Sequence, residues 1–299
     1  MEAKRYRRVC RLVDQASPHG RRNRQLFADR VIVKVYFWST QCDRPVSWAC
    51  VEENWPEDLR EECVGLMLPS QPTMSRRLRS VGVRQLMERV GAMLAEQLED
   101  NVVKSIDSKP LKVGNYSHDR DARRGHGAGE KARGYKLHAL TCGKAFKFWT
   151  LTGMNSNDQI GAAMLVPRLG AHQWGYLAAD NGYDANAVHR LAASVNHQLI
   201  APPRASNGAV RDTRRNCAER IRALDVCADP LRHAGVARSF GRSVLHQRTQ
   251  IERNFGNATM DGLGSMPPWV RTPHRVAAWV AAKIIQRMAR QLEIAGLMK

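Results

Sequence analysis

From residue 101 onward the chain alternates short β-type runs with helical ones, and no other feature narrows its fold so far. "VVKSID" (102–107), "YKLHALTC" (135–142), "FKFWTLTG" (146–153), "WGYLAAD" (174–180) and "HQLIAPP" (197–203) are rich in β-branched and aromatic residues. Gly, Pro or Asn-Gly bound them. The second and third runs are joined by Gly143-Lys144, the signature of an antiparallel hairpin. "DQIGAAMLVPRLG" (158–170) reads as a helix interrupted at Pro167. "DANAVHRLAASVN" (184–196) reads as a second, with Asp184 as its N-cap and Ala185, Val188, Leu191, Ala192 and Val195 on one stripe. Further helices are expected from about Ser243 to Phe255 and over 273–296. In chain order this gives strand, strand, strand, helix, strand, helix, strand, helix: a mixed α/β sheet. The basic stretch 118–134, "HDRDARRGHGAGEKARG", reads as a mobile loop, since "GHGAGEK" lacks the spacing of a phosphate loop.

The first hundred residues have a different texture. "KRYRRVCRLVDQASPHGRRNRQ" reads as a basic, loosely structured arm, and "LFADRVIVKVYFWST" (26–40) fits helix or strand. "NWPEDLREECVGLML" (54–68) starts like a helix, with Asn54 as cap and Pro56 in the first turn. "PSQP" breaks it, a short helix capped at Ser70 or Thr73 follows, and another spans 83–100. Residues 70–90 hold five Arg against one Glu. Helix, turn and arginine-laden helix resemble a helix-turn-helix, with Arg76 and Arg77 as DNA-contact candidates. The competing reading is a small helical bundle with a solvated arginine face. The expected division is a mainly helical region 1–100 and an α/β domain 101–299.

The charge balance points the same way. Against 28 Asp+Glu stand 47 Lys+Arg, a net charge of +19, which suits a polyanionic partner, nucleic acid or an acidic membrane surface. The longest apolar stretch, "VAAWVAAKII" (276–285), is short and contains Lys283, where a span needs roughly 20 apolar residues. The seven cysteines are scattered without a CxxC pair, which argues for reduced thiols in the cytoplasm and against a structural zinc.

Three acids stand at distinctive places. Asp107 and Asp180 end strands, and Glu252 lies in "QRTQIERNFG", four residues after Arg248 and so on the same helical face. Functional groups of α/β sheets gather at the carboxyl ends of strands. Carboxylates brought together there raise one another's pKa, a cost that divalent cations relieve. Each acid also has an ordinary reading: Asp107 and Asp180 as turn-formers, Glu252 as a partner of Arg248.

The pieces form an ordered set. "SIDSKP" surrounds the first acid, "LAADNGYDA" (177–185) the second and "RTQIERNFG" (248–256) the third, with "GYKLHAL" (134–140) and "LTGMNSNDQ" (151–159) between them. This set resembles the DDE transposases of bacterial insertion sequences, whose catalytic domain is RNase H-like; "LPSQPTMSRRLR" is similar to the segment preceding that domain. The resemblance implies a metal-binding catalytic triad of Asp107, Asp180 and Glu252, with Arg248 on a DNA phosphate. It implies Mg²⁺ or Mn²⁺, two ions per site, acting on the attacking and leaving oxygens of a phosphodiester. It further implies cleavage at an element's ends followed by attack of the freed 3′-hydroxyl on target DNA. The partners implied are double-stranded DNA, as terminal inverted repeats and target, and further copies of the chain in a synaptic complex. Some relatives place a tyrosine three residues before the arginine and a lysine seven after the glutamate; here those positions hold Leu245 and Thr259. Two alternatives stay open: a catalytically inactive DNA-binding descendant, and a general RNase H-like nuclease.

Some residues invite over-reading. His138 is expected to be a sheet residue with a local hydrogen bond. Asn155 and Asp158 are expected to cap the next helix, on a loop that could approach the site. Trp279, Ile284, Ile285 and Met288 are expected in a core or dimer surface.

Overall fold

The computed structural model describes residues 2–17, 26–98, 100–114, 117–127, 129–204, 207–228 and 240–297. The chain divides into two compact units, Met1–Leu98 with Tyr116–Arg120 and Ala258–Lys299, and Glu99–Asn115 with Asp121–Asn257.

The first unit is helical: α1 (Glu2–Ala16), α2 (Asp29–Gln41), α3 (Glu57–Cys63), α4 (Gln71–Arg77), α5 (Val81–Gln97) and a C-terminal helix, Pro273–Ile294. The arm read as loosely structured is α1. Its basic residues hide a stripe in which Tyr6, Val9, Cys10, Val13 and Ala16 are all buried, and that three-and-four spacing makes the helix worth forming. The ambiguous run 26–40 is helical, and nine consecutive residues of α2, Ile32 to Thr40, are buried. Tyr6, Trp38 and Trp55 pack edge-on and stacked, with ring centres 5.1–6.0 Å apart. The C-terminal helix packs on α2 and α5. Its Gln286 Nε2 donates to the Phe37 carbonyl at 2.9 Å and to Thr40 Oγ1 at 2.8 Å. Trp279, Ile284, Ile285 and Met288 are buried in this unit, as expected of a core.

In the first unit one cap differs from expectation. α3 starts after Pro56, while Asn54 donates to the Trp48 carbonyl at 2.9 Å instead of capping. Ser70 precedes α4, which has Pro72 in its first turn, and the Ser80 hydroxyl accepts from Val83 N to cap α5.

The second unit is a mixed sheet flanked by helices. Its elements are β1 (Val103–Lys112), β2 (Arg123–Gly127), β3 (Glu130–Cys142), β4 (Ala145–Gly153), α6 (Asp158–Leu165), β5 (Gly175–Ala178), α7 (Asn186–Ser194), β6 (His197–Ile200), α8 (Asn207–Val210), α9 (Ala218–Ala228), α10 (Phe240–Gln247) and α11 (Thr249–Ala258). The strand order is β2-β3-β1-β5-β6, with β4 also on β3. β1, β2 and β4 run antiparallel to β3, while β5 and β6 run parallel to β1. The stretch read as a mobile loop thus contains a strand: β2 and the start of β3 form a hairpin. The glycines admit it, since a Cβ at Gly125 would strike the Met154 carbonyl. The segment read as one helix from Ser243 to Phe255 is two, α10 and α11, parted at Arg248.

Strand alternation divides the core. Ile106, Leu140, Leu177 and Leu199 face Ala162 and Leu165 of α6 and Val188 and Ala192 of α7. Val103, Ala178 and Ile200 face Ala223 of α9 and Val244 of α10. This parity decides on which face each acid stands.

Candidate active site

Asp107 does not end its strand. It is the fifth of ten residues in β1, which stays paired with β3 as far as Lys112. What ends nearby is the other partnership: β1 pairs with β5 only over Val103–Ser105. Beyond Ser105 one edge of β1 lacks that neighbour, and Pro110 is tolerated there although it donates nothing to a ladder. Asp107 stands two residues past the last parallel pair, Ser105 and Ala178. Asp180 stands two residues past Ala178, so the same register carried on sets the two acids abreast, on the face that Val103 and Ala178 turn toward α10.

Asp180 accepts from the Gly182 N–H at 2.7 Å and so caps the short turn Asn181–Tyr183. Asp107 accepts from Ser108 N at 2.7 Å. Burial pushes the Asp107 carboxyl up to about 7; the charges of Asp180 and Asp158 add to the rise, against the Ser108 N–H and the Arg248 guanidinium.

Glu252 comes from α11. Asn254 Nδ2 donates to the Gly143 carbonyl at 2.9 Å, Phe255 lies 6.2 Å from Phe146, and Ile251 is buried, which ties α11 to the β3–β4 hairpin. Arg248 stands at the break between α10 and α11. Its Nη2 is 2.8 Å from Glu252 Oε1 and its Nη1 3.6 Å from Asp107 Oδ2. One guanidinium therefore serves both acids. The Glu252 side chain is 49% exposed, whereas Asp107 is 14% exposed and fixed in a strand.

Asp107 and Glu252 thus share Arg248, and the charge of Asp180 acts on Asp107. Among the described residues, no group of three or more His, Cys, Asp or Glu is spaced to hold a metal ion. The donor set still suits a hard divalent cation: Asp107 and Asp180 offer only oxygen, and Asp107 is buried beside like charge.

Three further residues surround the pair. Asp158 reaches in from α6, where Ser108 Oγ donates to its Oδ1 at 2.6 Å and Lys136 Nζ lies 3.4 Å away. Asn157, not Asn155 or Asp158, caps α6. Tyr183 is fully buried; burial pushes its phenol well up, and Asp158, Asp107 and Asp180 add to it. "LTGMNSNDQ" marks Asp158 in the sequence, but nothing there marks Ser108 or Tyr183, whose approach depends on the turn after Asp180. Asp184 does not cap α7; Ala185 does. Asp184 is buried instead, bonded to Arg220 Nε at 2.8 Å and Nη2 at 2.5 Å, to His189 at 3.2 Å and to Arg204 N at 2.8 Å.

His138 is a fully buried sheet residue bonded to Thr152 Oγ1 at 2.9 Å, and burial lowers its pKa to about 4. Leu245 packs against the cluster of Val103, Ala178 and Ile200 beside Val244. In the first unit, Arg76 is exposed but Arg77 is buried, donating to the Phe27 carbonyl at 2.7 Å and to Asp29 at 2.5 Å. Arg77 therefore serves the helical packing, which corrects its reading as a DNA contact: the guanidinium is spent inside the unit.

The arrangement is a mixed sheet flanked by helices, with Asp107 inside β1, Asp180 two residues past β5 and Glu252 on α11. Residues 99–286, more than half of the chain, match the family described as the transposase DDE domain, and the chain belongs to that family. No curated protein and no solved structure matches it. The fold class the resemblance implies, a mixed sheet flanked by helices with a helical N-terminal region, is the one found. No described helix is long and apolar enough to cross a membrane.

Proposed function

We propose that this protein is an active transposase that cleaves DNA strands at the ends of a mobile element and joins them to target DNA. The observation that carries the reading is that Asp107 and Asp180 each stand two residues past the last pair between β1 and β5, with Glu252 held to the same guanidinium as Asp107. Asp107, Asp180 and Glu252 would hold Mg²⁺ or Mn²⁺, which when bound stabilises charge on the attacking and leaving oxygens of a phosphodiester. Asp107 is set rigidly by its strand and Asp180 by its turn, so neither carboxylate needs to be ordered on binding. Glu252 is more exposed than Asp107. Arg248 balances the acids, and its charge suits a phosphate that displaces Glu252 from it. The net charge of +19 would gather double-stranded DNA, both terminal repeats and target, and copies of the chain would pair the two ends. Residues 1–100 would supply a DNA-binding region, with exposed Arg76 as a contact, and the chain from 101 the catalysis.

The test is nicking of DNA carrying the element's terminal repeats with Mg²⁺ or Mn²⁺, by the full chain and by Asp180→Ala. We expect metal-dependent nicking at the ends, lost in the variant while DNA binding persists. Binding without metal-dependent cleavage would support the second reading, an inactive DNA-binding descendant. That reading draws on Arg248 bridging Glu252 and Asp107 and on Leu245 packed into the apolar cluster of Val103 and Ala178. Cleavage indifferent to the ends would indicate a general nuclease.

A further inference from the structure

We propose that Asp158 is a fourth carboxylate of the cation site, a positioning residue that draws a divalent cation to the Asp107–Asp180 pair. The inference rests on the metal-binding reading above. One oxygen of Asp158 is committed: Ser108 Oγ donates to Oδ1 at 2.6 Å, and Lys136 Nζ stands 3.4 Å from it, itself anchored on the Ser156 carbonyl at 2.7 Å. Ser108 follows Asp107 in β1 and Asp158 opens α6, so the contact joins two rigid elements across 50 residues. The other oxygen, Oδ2, looks onto the turn that Asp180 caps. A Cβ built on Gly182 would lie 3.1 Å from Asp158 Oδ2 and 2.8 Å from Asp180 Oδ1. Gly182 thus keeps open the one gap that these two carboxylates share.

A group of acids alone would not make a site. The independent observation is Tyr183, next to Gly182 in the same turn. Its side chain is fully buried, its hydroxyl has no hydrogen-bond partner among the described residues, and the charges of Asp158, Asp107 and Asp180 all act on it. Ser108 Oγ lies beside that hydroxyl but outside hydrogen-bond geometry, and its own proton goes to Asp158. An orphaned buried hydroxyl costs about 1–3 kcal/mol, and native folds keep few of them. With the charges of three carboxylates acting on it, this one suits the oxygen shell of a hydrated cation, since Mg²⁺ keeps several waters when few carboxylates hold it. Asp158 fits the same role. It is fixed by donors that point its free oxygen at Asp180, as outer-shell carboxylates orient the groups that hold a metal.

The experiment is titration of the full-length apoprotein with Mn²⁺ alone, followed by electron paramagnetic resonance of the free ion. Four chains are compared: unaltered, Asp158→Asn, Ser108→Ala and Asp107→Asn. We expect Asp107→Asn to abolish binding and Asp158→Asn to weaken it about tenfold, the lower end of the range for outer-shell substitutions. Ser108→Ala keeps the charge but frees Oδ1, and a loss of a few fold is expected. Wild-type affinity in Asp158→Asn, with binding lost in Asp107→Asn, would overturn this inference and leave the proposed function standing. Unchanged affinity in all three variants would overturn the metal-binding reading itself. Should Asp158→Asn fail to fold, Ser108→Ala decides: unchanged affinity there refutes the inference.

Discussion

Replacing Asp184 by alanine tests whether the turn carrying Asp180 is held by a buried ion pair or merely decorated by one. Asp184 is 4% exposed, and both its oxygens are bound by Arg220, a side chain itself only 13% exposed. Its oxygens also take a hydrogen bond from Arg204 N and meet His189. Arg204 in turn donates to the carbonyls of Asn181 at 2.6 Å and Gly182 at 2.5 Å, so the cluster clamps the residues just after Asp180. Removing one partner of a buried pair leaves the other charge uncompensated, at about 3–5 kcal/mol. We expect Asp184→Ala to lower the stability of the second unit by about 3 kcal/mol at pH 7, measured by urea unfolding followed by circular dichroism.

The pH dependence supplies an independent check on the cause. Burial alone would raise the Asp184 pKa, but His189, Arg220 and the Arg204 N–H together hold it well below its ordinary 3.8. A depressed folded pKa means that protonation favours the unfolded chain. The stabilisation is therefore complete above the ordinary value and is lost as pH falls below 3.8 toward the folded pKa. The gap between unaltered and variant proteins should stay constant from pH 7 to 5 and narrow below pH 4. A loss under about 1 kcal/mol at pH 7, the range of an exposed pair, would refute the argument. So would a gap that does not narrow in acid.

Two further outcomes test the helical unit and the charge. Arg76→Ala should weaken binding to terminal-repeat DNA with no change in unfolding midpoint. Arg77→Ala should destabilise the fold by about 2 kcal/mol, because it strands Asp29 and the Phe27 carbonyl; equal effects on both assays would contradict the burial difference. DNA affinity should fall steeply and linearly on a log–log plot against salt between 50 and 200 mM, as counterion release from a multi-arginine surface requires, and a flat response would remove the electrostatic argument.

Much of the second unit was legible because its signals are local. The Gly143-Lys144 hairpin, the break at Pro167 and the strands before Asp180 and at 197–200 each follow from side-chain type and turn chemistry over a few residues. The misreadings share another cause. The α1 segment looks like a polar arm because four arginines and a lysine are interleaved with its apolar positions, yet Tyr6, Val9, Cys10 and Val13 gain their value from elements such as α2 and α5 packed against them. Likewise Asp184 has the sequence of an N-cap, but Arg220, 36 residues away, outbids the helix for its carboxylate. Tertiary partners override local preference where the residue is buried.

The site shows the same division more sharply. Aspartate is disfavoured within strands, so Asp107 reads from propensity as a strand end. The structure keeps it inside β1 and ends the neighbour instead: β5 is only four residues long, and its pairing with β1 stops at Ser105. A carboxylate within a strand is tolerable there because one edge is open toward Asp180 and Arg248 rather than closed by another ladder. Shortening β5 thus does for Asp107 what a strand end would have done, while β3 continues to hold the residue rigidly to Lys112. That rigidity belongs to the pairing and not to the aspartate. The motif can therefore mark which acid matters, but only the register can show that it is fixed beside Asp180.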